Sequence, residues 1–300
     1  MRLTILGSSS ATPIYDRHPS SQLLSVNDHL YLIDCGEGTL FRINDFKIKK
    51  NKIIAIFISH LHGDHFYGLI GLLTTMSMHE RTETLTIVSP ARLKDIIQLQ
   101  CEISKTIIRF PINYVEFSQE SKEIYTDSNA TVTTIPLEHK IDTCGFLFSK
   151  KHADRKVIKS KIEEYKLTNS EIAELIKGNT VQNSEGKSIQ MSDISEKNLD
   201  TKTFAYCSDT QFSKSYIPLI SNIDLLYHES TFLQKDKNRA IDTKHSTASE
   251  AAEAARLANV KKLLIGHFSA RYLDLEPLLE EAKLVFENTE LALEGKTFLI

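Results

Sequence analysis

Residues 53–72 read Ile-Ile-Ala-Ile-Phe-Ile-Ser-His-Leu-His-Gly-Asp-His-Phe-Tyr-Gly-Leu-Ile-Gly-Leu. The near-continuous apolar run from Ile53 to Ile58 predicts a strand buried on both faces. His60, His62, Asp64 and His65 follow at once, packed around Gly63, and Leu69 to Met78 then has helical length and few β-branched residues. Three imidazoles and a carboxylate at the end of a buried strand make a dense set of metal ligands, suited to zinc and also to iron or manganese. Gly63 is expected to let the backbone turn sharply, so that ligands on both sides point into one cavity. The chain holds only 11 histidines in 300 residues, so three within six positions argue against a chance polar loop.

Outward from this stretch, strand-like and helical runs alternate. Residues 2–6 predict a first strand, and Gln22–Val26 and Leu30–Ile33 a hairpin hinged at Asn27-Asp28. Asp34-Cys35-Gly36-Glu37-Gly38-Thr39 then turns into an amphipathic helix. A strand at 85–89 precedes a helix opening at Pro90-Ala91 and running to about Cys101. Further strands are expected at 112–117, 123–126, 131–137, 144–149, 203–208, 224–227, 261–266 and 297–300. Thr247 with Glu250 forms a capping box for an Ala-rich helix, and a last helix spans about Leu275–Phe286. Alternation early and strands in succession later favour an α+β fold, a mixed sheet pair with helices outside, over a doubly wound parallel sheet.

Residues 150–199 interrupt this pattern. Lys150 to Lys166 holds seven Lys or Arg against three acids, in a chain whose net charge is −3. Thr168 and Glu171 form another capping box, and Ile172, Leu175 and Ile176 share one helix face. The segment reads as an inserted arm, or as a solvated charged loop, between 1–149 and 200–300, which together form the main domain. The overall balance, 41% hydrophobic and 25% charged, is that of a globular protein and not of a uniformly basic nucleic-acid binder. Cys35, Cys101, Cys144 and Cys207 form no CxxC pair and, with no signal-like N-terminus, read as reduced thiols of a cytoplasmic protein. No apolar run approaches the roughly 20 residues of a membrane span, so no membrane partner is expected.

His139, Asp209 and His267 each end a predicted strand, where α/β-type sheets place ligand sites. With the 60–65 cluster they make seven ligands, more than one zinc uses. His60 and His62, two apart, share one ion with His139. Asp64 and His65 share another with His267, and Asp209 bridges. Two metals about 3.5–4 Å apart define a hydrolase site.

These residues resemble the metallo-β-lactamase superfamily, whose HxHxDH loop matches positions 60–65. Thr12-Pro13 with Arg17, Asp34 to Thr39, Tyr206-Cys-Ser-Asp-Thr210, His228-Glu-Ser-Thr231, His245-Ser-Thr-Ala248 and Gly266 to Tyr272 resemble, within it, the ribonuclease Z family of tRNA 3′-processing endoribonucleases. The resemblance implies an αββα sandwich with a protruding arm, two Zn2+ per subunit (Mn2+, Fe2+ or Mg2+ being other candidates) and a homodimer. It implies removal of the 3′ trailer from pre-tRNA, leaving a 3′-hydroxyl on the tRNA and a 5′-phosphate on the trailer, with the arm as the tRNA-binding exosite. Residues 169–174 carry no Gly-Pro tip, and His18 and Leu40 stand where the family pattern has Asn and Gln.

The family uses Asp64 as general base, a role weakened by its expected metal bond. His245 and Glu229 are expected to form a dyad whose imidazolium protonates the leaving oxygen or neutralises the developing phosphorane charge, Glu229 alternatively being a salt-bridge partner. Arg17, Ser269, Arg271 and the amides of Gly7–Ser10 are candidates for phosphate or substrate contact, with surface salt bridges and a plain turn as the alternatives. Asp34 is expected to orient a ligating histidine. Cys35 and Cys207 read as buried hydrophobes, and His29, His79 and His152 as surface residues. The main rival is a phosphodiesterase or arylsulfatase-like hydrolase of small esters on the same fold. Others are a non-catalytic RNA-binding module and a flavodiiron-type redox site, which would need a carboxylate in place of His62.

Overall fold

The computed structural model describes residues 1–14, 17–151, 155–197 and 201–300. Backbone contacts divide them into one unit of Met1–Lys150 with Lys202–Ile300 and a second of Lys151–Thr201. The boundary expected at 199–200 touches residues outside those described, as does His152.

The larger unit contains two seven-stranded sheets. The first is built from β1 (Arg2–Gly7), β2 (Ser21–Val26), β3 (His29–Ile33), β4 (Ile53–Phe57), β5 (Leu85–Pro90) and β6 (Ile112–Phe117). The second starts with β7 (Glu123–Thr126), β8 (Ala130–Leu137) and β9 (Thr143–Lys150). The inserted unit contributes the short β10 (Arg155–Val157), β11 (Val181–Gln182), β12 (Ser188–Ile189) and β13 (Ser195–Lys197). The second sheet then resumes with β14 (Thr203–Cys207), β15 (Leu225–Glu229), β16 (Leu263–Gly266) and β17 (Thr289–Leu291), and β18 (Thr297–Leu299) returns to pair with β1. The orders are β18-β1-β2-β3-β4-β5-β6 and β17-β16-β15-β14-β9-β8-β7. In each sheet the meander side is antiparallel and the other side parallel: β3 to β6 in the first, β14 to β17 in the second.

The helices are α1 (Thr39–Asp45), α2 (Gly63–Phe66), α3 (Leu69–Met78), α4 (Leu93–Ser104), α5 (Lys159–Glu164), α6 (Asn169–Ile176), α7 (Lys237–Thr243), α8 (Ala248–Leu257) and α9 (Glu276–Lys283). Strand β4 shows why its sequence is apolar throughout. Ala55 and Phe57 enter the core between the sheets, while Ile56 and Ile58 pack under α1, α3 and α4 on the outer face. On the far side α8 presents Ala251, Ala252, Ala254 and Ala255, whose small side chains let it lie close to the second sheet. The layering is αββα. Helix α4 starts later than Pro90, because β5 continues to Pro90 and Arg92 takes a left-handed φ of 78° just before it. Strands β10 to β13 and β17, at two or three residues each, and helices α5 and α7 are too short to leave a periodic signature. His79 is exposed, whereas His29 is half-buried and paired with Asp127 at 3.1 Å.

The inserted unit has a small core of its own, Leu167, Leu175, Ile189 and Ile194, with Ile162 and Ile172 against it. The Thr168–Glu171 capping box forms and opens α6. Among the described residues no helix is long and apolar enough to cross a membrane.

Phe57 sits at the centre of the inter-sheet aromatic cluster, 5.0 Å from Phe148, 5.4 Å from Phe146 and 5.5 Å from Tyr125, ring centre to ring centre. Phe57→Ala should cost about 3–5 kcal/mol, read as a lower denaturant midpoint in chemical unfolding.

Candidate metal centre

The loop that leaves β4 is pinned from behind. Gly68 donates its N–H to the Cys35 carbonyl at 2.9 Å, and a Cβ on Gly68 would fall 2.2 Å from the Gly36 carbonyl oxygen. Gly63 does not adopt a left-handed φ. Its need for glycine is one of space: a Cβ there would lie 2.1 Å from the Tyr67 ring. Left-handed backbone occurs instead at Asp34 (φ 55°) and His267 (φ 59°), two buried non-glycine residues at strand ends.

All seven expected ligands converge. His60 Nε2 and His62 Nδ1 are 3.1 Å apart, and His139 Nε2 lies 3.2 Å from the same Nδ1. Around a second point, His65 Nε2 is 3.5 Å from Asp64 Oδ2 and 3.3 Å from Asp209 Oδ1, and His267 Nε2 is 3.5 and 3.2 Å from the same two oxygens. Asp209 divides its carboxylate. Oδ1 faces the second cluster, while Oδ2 faces the first, 3.5 Å from His60 and 3.7 Å from His139. The groups His60, His62, His139, Asp209 and Asp64, His65, Asp209, His267 each have the compactness to hold a metal ion.

The outer nitrogens show what the inner ones are for. His65 Nδ1 donates to Asp34 Oδ2 at 2.7 Å, and Asp34 also accepts from the Ser59 amide (2.8 Å), the Ser59 hydroxyl (2.9 Å) and the Tyr206 hydroxyl (2.6 Å). Asp34 thus takes the orienting position expected of it. His139 Nδ1 donates to the Lys244 carbonyl at 2.9 Å, and His267 Nδ1 to the Thr231 hydroxyl at 2.9 Å. With Nδ1 so engaged, Nε2 is the ring nitrogen turned inward, and in a neutral ring it carries a lone pair there. Nε2 of His65 and of His267 is buried with no hydrogen-bond partner among the described residues, facing carboxylate oxygens. Lone pairs facing carboxylates repel unless a cation lies between them.

The charges fit the same reading. Burial, with the neighbouring His65 ring, pushes His60 down to about 4. Burial also lowers His62 and His139, leaving three neutral donors. At His65 burial works the other way from Asp209, Asp64 and Asp34, which prevail and call for positive charge at that point. Ligand atoms at 2.0–2.1 Å from a tetrahedral metal are about 3.3 Å apart, close to the nitrogen spacing here. The donor set fits divalent metal.

Glu229 is fully buried and anchors the flank of the site. Oε1 accepts from His245 Nδ1 (2.7 Å) and the Thr210 amide (3.0 Å), while Oε2 accepts from the Thr231 amide (3.0 Å) and hydroxyl (2.7 Å). Burial opposes the charged His245 ring, but the charge and hydrogen bond of Glu229 raise it to about 9. His245 Nε2 lies 4.0 Å from Asp209 Oδ2. Over the cluster opens a cavity of about 480 Å³, lined among others by Ala11, Asp64, Tyr67, Lys140, Asp209 and His245.

Arg17, Ser269 and Arg271 do not line this cavity. Arg17 donates to the Tyr272 carbonyl at 2.6 Å, and Arg271 lies 3.4 Å from Asp236 and over the Phe232 ring. The amides of Ser9 and Ser10 are spent on the carbonyls of His18 and Phe268, so the expectation that they meet phosphate is not met. The next amide along the chain, Ala11 N–H, donates to Asp64 Oδ2 at 2.8 Å. Ser59, Tyr206, Thr231 and the Lys244 carbonyl also support the site, though none is among the expected site residues. Ser59, Tyr206 and Thr231 stand near ligands in motifs already noted, whereas nothing local marks a carbonyl. Cys35 and Cys207 are fully buried, and burial raises the Cys35 thiol to about 12.

Two packed mixed sheets with helices outside, carrying a His-rich loop at a β4 strand end, define a protein of the metallo-β-lactamase fold. The solved human tRNase Z, short form, shares that fold at TM-score 0.72 and 24% identity, over 100% of this chain and 99% of that one. The metallo-β-lactamase fold protein YhfI of Bacillus subtilis does so at 0.70 and 21%, over 99% and 98%. A family model described as Anti-Pycsar protein Apyc1 matches residues 1–270. A ribonuclease Z of Cytophaga hutchinsonii is 45% identical over 300 residues, 99% of this chain and 96% of that protein, and one of Porphyromonas gingivalis is 40% identical over 287 residues, 95% and 94%. The chain thus belongs to the family that model describes and, by full-length identity to named relatives, to the ribonuclease Z family of endoribonucleases.

Removing the Asp34 carboxylate should free the His65 ring without emptying the site of ligands. Asp34→Ala is expected to weaken metal binding about 10- to 100-fold, measured by chelator competition.

Proposed function

We propose that this chain removes the 3′ trailer of pre-tRNA by metal-dependent phosphodiester hydrolysis, giving a 3′-hydroxyl tRNA and a 5′-phosphate trailer. The observation that carries this is Asp209, whose two oxygens face two separate histidine clusters, in a chain of the ribonuclease Z family. His60, His62 and His139 would hold one ion, Asp64, His65 and His267 a second, and Asp209 both, with Zn2+ the expected metal. When bound, such a pair acidifies water and neutralises charge on a phosphoryl group.

The chain's own residues do the rest. His245 holds a proton on Nε2, facing the cavity, because Glu229 binds its Nδ1 and favours the imidazolium. That proton passes to the departing 3′ oxygen of the tRNA, so the new hydroxyl leaves neutral. Asp64 accepts the Ala11 N–H and faces His65 and His267, which makes it a positioning carboxylate more than a proton acceptor. The basic Lys150–Lys166 run starts at the border of the inserted unit, which is assigned the tRNA body. The reading includes a homodimer in the cytoplasm. For the dimer, the outer stripe of α4, Ile96, Leu99 and Ile103, offers apolar surface at 39, 57 and 75% exposure.

Incubated with pre-tRNA bearing a 3′ trailer, the protein should cut once after the discriminator base, and a chelator should stop it. A chain that hydrolyses a small phosphodiester but leaves pre-tRNA intact would overturn the proposal in favour of a small-ester hydrolase. His245→Ala should lower kcat about 10²- to 10⁴-fold with metal content unchanged. Unaltered turnover would remove His245 from the mechanism.

A further inference from the structure

Tyr67 is a large side chain at the site that the chemistry above leaves unused. It follows α2 directly, is 67% exposed, and lines the same cavity as Asp64 and His245. A tyrosine that open gains little from the core, yet its ring is held in place. It lies against Gly63, where the missing Cβ leaves room for it, and packs edge-on to Phe66 with ring centres 5.0 Å apart. The other strongly exposed aromatic among the described residues, Phe41, does not line the cavity. Lys140, next to His139, lines the cavity too, and its ammonium has no ion-pair partner among the described residues. An aromatic face and a cation that line one cavity are what single-stranded nucleic acid binds, one taking a base and the other a phosphate. A small ester needs neither.

We infer that Tyr67 is a stacking platform for one of the two bases that flank the phosphodiester being cut, with Lys140 meeting the backbone beside it. This rests on the endoribonuclease reading and adds a residue that grips the strand at the cut, apart from the exosite assigned to the inserted unit.

The test is a coupling measurement on the full-length protein. Wild type, Tyr67→Ala and Tyr67→Phe are assayed on pre-tRNA carrying either a base or an abasic ribose, at each of the two flanking nucleotides in turn. On the base-bearing substrate Tyr67→Ala should lose roughly 5- to 150-fold in kcat/KM, and Tyr67→Phe should recover that loss. At one of the two positions the loss should vanish on the abasic substrate, since the partner of the ring is gone. Should alanine disturb metal loading, Tyr67→Leu keeps the bulk without the π face and replaces it. No loss, or an equal loss on base-bearing and abasic substrates at both positions, overturns the stacking role while leaving the endoribonuclease reading intact. A wild-type protein that cuts no pre-tRNA overturns both, and the wild-type measurement alone reveals that case.

Discussion

A buried carboxylate shared between two sets of imidazoles is the constraint on which the rest of this structure depends. Asp209 is almost fully buried, and its oxygens lie 3.2 to 3.7 Å from ring nitrogens of His65, His267, His60 and His139. A charge taken that far from water needs compensation, and the inward lone pairs of neutral rings do not supply it. The arrangement makes sense as a cradle for positive charge, held together by the surrounding protein rather than by its own attractions.

What holds it is strand register. Strands β14, β15 and β16 are parallel neighbours, with Cys207 opposite His228 and Glu229 opposite Gly266. Their carboxyl ends therefore bring Asp209, Glu229 and His267 to one level. Glu229 ties this level together, through the Thr210 amide to the Asp209 turn, through Thr231 to His267, and directly to His245. The first sheet answers with β3 and β4, whose parallel ends place Asp34 behind His65. Each sheet thus contributes one buried carboxylate that touches no open surface and orients the histidines in front of it. The left-handed turns at Asp34 and His267 are the local cost of aiming those side chains inward.

Much of this was legible from residue types and spacing. Strand β4, apolar at every position and rich in β-branched residues, reads as a strand covered on both faces, and the His-x-His-x-Asp-His loop after it marks metal chemistry by density. The two capping boxes, Thr168–Glu171 and Thr247–Glu250, set helix starts where they are observed, because a cap is a local hydrogen-bond pattern. Arg17 shows the opposite case. Its residue type suits phosphate, yet the fold commits it to the Tyr272 carbonyl, 255 residues away in the chain. Gly63 was needed for the space a tyrosine four residues on takes up, and not for its φ.

By itself the sequence determined which elements form and which side chains are suited to holding metal, since propensity, capping and ligand chemistry are properties of neighbouring residues. Only the tertiary structure decided which nitrogen of each ring faces inward, and that Tyr206 and the Lys244 carbonyl stand behind them. Those are distances between strand ends far apart in the chain. They follow from sheet order and register, which the packing of the two apolar faces sets as a whole.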